Sequence, residues 1–86
     1  MLEEFLSASR RVDADLQRAA AERRWVDAER AAHTLKSMAR MVGAVELAEA
    51  CALVEGGAAG ALPPDAVEAV ARRVVQAQGA VKACLL

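Results

Sequence analysis

Apolar side chains recur along this chain at alternating steps of three and four residues, in four separate segments. In the first, Leu2, Phe5, Ser9, Val12, Leu16 and Ala19 fall on one face of an α-helix, because each residue turns about 100° around the axis. This helix is predicted to run to about Ala21, ahead of the charged Glu22-Arg23-Arg24. The second segment repeats the spacing with Trp25, Ala28, Ala32, Leu35, Ala39 and Val42. It stops at Gly43, a residue that accepts a left-handed backbone at little cost. The third offers Ala44, Leu47, Ala48, Cys51 and Val54, then gives way to Gly56-Gly57-Ala58-Ala59-Gly60, read as a flexible link. Pro63-Pro64-Asp65 restarts the chain, with Pro64 suited to a first helical turn and Asp65 to the positive end of the helix dipole. Val67, Val70, Val74, Ala77, Val81 and Leu85 form the fourth stripe.

Four amphipathic helices with short connections predict an all-α, antiparallel up-down-up-down four-helix bundle, one domain over residues 1–86. Phe5, Leu16, Trp25, Leu35, Leu47, Val70 and Val74 are expected to supply much of the apolar burial, at about 1.5–3 kcal/mol each when fully buried.

Composition narrows the picture. Tyrosine is absent and phenylalanine occurs once, which disfavours sheets. The net charge is −1, so no overall field points to nucleic acid or an anionic membrane. The pairs Arg10-Arg11, Arg23-Arg24 and Arg72-Arg73 are interleaved with acids and read as solvated helix faces. Cys51 and Cys84 fall near apolar stripes without metal-ligand spacing, and read as small buried hydrophobes in a reducing compartment. Glu3 and Glu4 stand where a secretory signal would be basic. No apolar run is long enough to span a bilayer. A cytoplasmic protein is expected.

The candidate chemistry centres on His33, the single histidine. The second stripe fills an arc of about 100°, and His33 lies roughly 130° from its middle, among Glu29, Arg30, Lys36, Ser37 and Arg40. An exposed imidazole can attack a phosphoryl group in line, and nearby cations can offset its charge. Ser37, one turn on, is small enough to let another protein approach. No triad partner is evident, so hydrolysis is not suggested. One histidine without a ligand cluster does not suggest a metal site. The glycine-rich stretch lacks a following Gly-Lys-Ser/Thr, so it is not a phosphate-cradling loop.

The run His33-Thr34-Leu35-Lys36, the small Ser37, and then Val42-Gly43-Ala44 resembles the signature of histidine-containing phosphotransfer (HPt) domains. That signature reads His-x-Leu-Lys-Gly, a short variable stretch, then an apolar residue and glycine. Trp25 and Ala31-Ala32 are also similar to the family's helix. The motif covers about a dozen residues, and the four-helix plan extends the likeness over essentially the whole chain. Ser37 departs from the family's glycine, which bears on the closeness of docking, and its hydroxyl could touch a phosphoryl oxygen.

The resemblance implies a phosphorelay intermediate without an ATP-binding kinase domain of its own. His33 would accept a phosphoryl group from an aspartyl phosphate on a receiver domain and pass it to another aspartate. Lys36 would stabilise the phosphate, with Ser37 and Arg40 in support and Gly43 ending the helix. The partner would be a response-regulator receiver domain, or a hybrid histidine kinase. Any magnesium would sit in the partner's acidic pocket, and no cofactor is expected on this chain. The docking face would combine the second helix with the adjoining part of the first or third, flanked by Ala32, Thr34 and Met41. A monomer is expected. The alternative is a helical interaction module that docks without carrying phosphate, as with a masked His33.

Overall fold

A computed structural model describes residues 2–56 and 64–85; most of the predicted glycine/alanine link (residues 57–60), together with Pro63, lies outside the described residues. Four helices follow in order: α1 (Leu2–Ala21), α2 (Trp25–Val42), α3 (Val45–Gly56) and α4 (Pro64–Leu85). They make an all-α four-helix bundle. Each helix packs on the next and α4 returns against α1. Gly56, assigned above to the link, closes α3, while α4 begins at Pro64 as its fixed φ favours.

The core follows the four stripes. Phe5, Leu16, Leu35, Leu47, Val70 and Val74 are all buried, and Ala28, Ala32 and Ala39 line the inner face of α2. Such small residues let neighbouring helices approach closely, and the larger side chains fill the remaining space. Two expectations need correction. Trp25 is only half-buried, because it opens α2 at the edge of the core. Cys84 is exposed, whereas Cys51 is buried. Cys84 lies about 60° around the axis from Val81, which occupies the inward position of that turn.

The connections differ in their chemistry. Gly43 adopts φ 77° and ψ 20°. Its N–H donates to the Arg40 carbonyl at 3.3 Å, and the Ala44 N–H donates to the Ala39 carbonyl at 2.8 Å. Glycine suits this left-handed closing turn. After α1 the same pattern recurs, with Arg24 N–H on the Ala19 carbonyl at 2.8 Å, but Arg23 holds the left-handed position at φ 59°. A side chain there meets a steric penalty that glycine avoids.

A polar line runs along the seam between α1 and α4. Ser9 is fully buried and accepts a hydrogen bond from Gln78 Nε2 at 3.0 Å. Two turns on, Gln17 Nε2 donates to the Val67 carbonyl at 3.1 Å and to Asp13 Oδ1 at 3.1 Å. Residue numbers thus rise along α1 as they fall along α4. Burial pushes the Asp13 carboxyl above its ordinary value, against the lowering effect of the Gln17 hydrogen bond.

Candidate functional site

The 3.6-residue repeat that buries Leu35 and Ala39 turns His33 outward. Its side chain is 67% exposed. Imidazole Nδ1 lies 2.8 Å from Glu55 Oε1, across the α2–α3 seam. An ionised carboxylate only accepts hydrogen bonds, so Nδ1 carries the proton and donates it. The lone pair is thereby left on Nε2, on the opposite edge of the ring. The other carboxylate oxygen, Glu55 Oε2, accepts from Lys36 Nζ.

Lys36 follows His33 by three residues, a spacing that makes the two neighbours on the helix surface. Its side chain is nevertheless only 17% exposed, because it lies over α3 and pairs with Glu55. Partial burial pushes the Glu55 carboxyl upward. Hydrogen bonds and charge from Lys36 and His33 outweigh that effect and hold it below its ordinary value. Glu55 is therefore ionised at neutral pH and serves as a bridge between imidazole and ammonium. One turn earlier, Cys51 is buried with its thiol pushed up to about 12, first by burial and then by the nearby Glu55 charge. That thiol is inert at neutral pH.

The Ser37 hydroxyl donates to the His33 carbonyl at 3.2 Å, so it turns back onto the helix. Thr34 does the same to the Arg30 carbonyl at 3.1 Å. Arg40 is exposed and has no ion pair among the described residues. Met41 is exposed and, with Met38, borders a shallow apolar groove against Phe5 and Ala8 of α1. Ala32 is fully buried and cannot take part in docking, because it belongs to the inward stripe of α2. Among the described residues no group of three or more histidine, cysteine or acidic side chains could hold a metal ion.

Glu55 is the site residue that sequence reasoning missed. It is 22 residues from His33 and belongs to no local motif. A signal was present: Ala44, Ala48, Cys51 and Glu55 continue the three-and-four spacing of the third stripe. An acid on such an edge needs a partner on the facing helix.

A model of the Hpt domain family matches residues 1–84. The chain belongs to the Hpt domain family. Hpt domains act in phosphotransfer within two-component signalling, where they interact with receiver domains and kinases. No curated protein and no solved structure matches the chain significantly. No described helix of this Hpt domain is long and apolar enough to cross a membrane.

Proposed function

We propose that this Hpt domain is a phosphorelay intermediate of the cytoplasm, with His33 as the phosphoryl carrier between receiver-domain aspartates. The observation that carries this reading is the 67% exposed imidazole whose Nδ1 is held by Glu55. In the accepting step, the Nε2 lone pair forms a bond to phosphorus. The P–O bond of the aspartyl phosphate breaks, and its electron pair leaves with the partner's carboxylate. The Nδ1 proton stays in place, and the imidazolium that forms is stabilised by Glu55. Donation is the reverse of this step.

Lys36 acts in this scheme by adding positive charge close to the ring and by steadying Glu55. Ser37 contributes by being small: its hydroxyl is occupied by the His33 carbonyl, and its side chain adds little bulk beside the ring. Magnesium belongs to the partner. The competing reading, an interaction module with a masked histidine, is opposed by the exposure of the ring.

The test is to mix the protein with a phosphorylated receiver domain and follow label transfer, comparing wild type with His33→Gln. The reading requires acid-labile labelling in the wild type and its loss in the variant. Labelling that persists in His33→Gln contradicts it.

A further inference from the structure

We propose that the groove between α1 and α2, beside the turn that joins them, is a docking site for an acidic, extended polypeptide segment of a protein partner. The groove has a volume of about 430 Å³, and three arginines line it, Arg18, Arg24 and Arg30, against two aspartates, Asp15 and Asp27. A chain whose net charge is −1 thus carries a positive balance here.

The ion pairs decide which of these charges are free. Arg24 binds Glu22 at 2.8 Å and Asp27 at 3.1 Å, so one guanidinium satisfies both acids. Arg18 of α1 and Arg30 of α2 are exposed, and among the described residues neither has an acid in ion-pair contact. Between them lie Ala19 and Ala31, whose methyl groups leave room for a chain to settle between the two helices. Acidic side chains on such a segment meet two free guanidiniums, whose forked donors match carboxylate geometry. Asp15, also outside any ion pair among the described residues, opposes an acidic ligand.

The groove is separate from the reacting ring. Glu55 holds His33 from the α3 side, whereas the groove opens on the α1 side of α2. It nonetheless reaches Thr34, the residue after His33. A segment anchored here keeps a partner beside His33 without covering the imidazole, and so raises the partner's effective concentration there. Binding at the groove does not require a phosphorylated His33.

The probe is a fluorescent peptide of alternating glutamate and alanine, titrated with the full chain and followed by anisotropy at low and physiological salt. Arg18→Ala and Arg30→Ala are each expected to weaken binding about threefold, and the double variant about tenfold. Asp15→Asn tightens it about threefold, a gain that a purely structural role does not produce. Arg72→Ala, on α4, and His33→Gln bind as the wild type does. Salt weakens the wild type more than the double variant. Amide shifts in NMR fall on Ala31 and Thr34 and spare Glu55.

A wild type that does not bind the peptide overturns the proposal. So does unchanged affinity in a double variant whose helical content is intact by circular dichroism. Equal binding of a peptide with glutamine in place of glutamate also overturns it. Capture by anionic lipid vesicles that the peptide does not displace makes the groove a lipid contact and overturns it as well. Loss of peptide binding in His33→Gln contradicts the separation of groove and ring. A chain that binds the peptide but takes no label on His33 upholds the docking site while the carrier reading falls.

Discussion

Replacing Glu55 with alanine tests how much of the site's chemistry is set across the α2–α3 seam. The perturbation removes one carboxylate with two partners, His33 Nδ1 at 2.8 Å and Lys36 Nζ. A hydrogen bond to a charged group contributes about 1.5–3 kcal/mol. The lower end applies here, because His33 is 67% and Glu55 19% exposed. At 1.36 kcal/mol per factor of ten, about 1.5 kcal/mol of lost stabilisation of the developing imidazolium slows phosphorylation roughly tenfold. Glu55→Gln keeps an oxygen that can accept from Nδ1 but loses the charge, so its rate falls between the two. The assay follows His33 labelling by a small phosphodonor, with nitrogen-15 NMR reporting the ring tautomer. Glu55→Ala is expected to release Nδ1, so that the ring populates both tautomers. A wild-type rate with an unchanged tautomer refutes the reasoning. The carboxyl's lowered pKa also gives a sign: the network's stabilisation is present above the ordinary value of 4.5 and is lost as pH falls through the lower folded value. Glu55→Gln flattens that acid limb.

The remaining predictions concern the scaffold. Exchanging glycine and side chain at the two left-handed turns has opposite effects: Gly43→Ala costs about 1 kcal/mol and Arg23→Gly stabilises by up to about 1 kcal/mol, read by urea denaturation. Open space around the Gly43 position means that the first cost is conformational and not a clash. Gln78→Ala leaves buried Ser9 without its donor and costs about 1–3 kcal/mol, whereas the double variant Ser9→Ala with Gln78→Ala recovers part of the loss. Asp13 has a raised folded pKa, so its stabilising contribution is full below the ordinary value of 3.8 and is lost as pH rises through the folded value. Asp13→Asn accordingly raises Tm at pH 7 and has little effect near pH 3. A uniform shift across pH contradicts the assignment.

Local periodicity carried the helices and the side each one buries, so the spacing alone marks Phe5, Leu16, Leu35 and Leu47 as core. Gly43 was legible because a closing left-handed turn favours glycine. The same turn at Arg23 was not, because arginine has no preference for that conformation. The outward azimuth of His33 was legible in the spacing, and its motif with Lys36 marked it as a candidate. What the motif did not convey was the direction in which Lys36 points, because that depends on an acid of another helix. Glu55 and the buried Ser9–Gln78 pair share this property: their partners are 22 and 69 residues away, and no local pattern encodes such pairings.

The central claim is that His33 carries the phosphoryl group on Nε2 while Nδ1 stays protonated on Glu55. The most direct measurement is nitrogen-15 and phosphorus-31 NMR of the phosphorylated, labelled protein. The account predicts one-bond coupling between phosphorus and His33 Nε2, with the Nδ1 proton retained. Phosphorus on Nδ1, or on any residue other than His33, contradicts it.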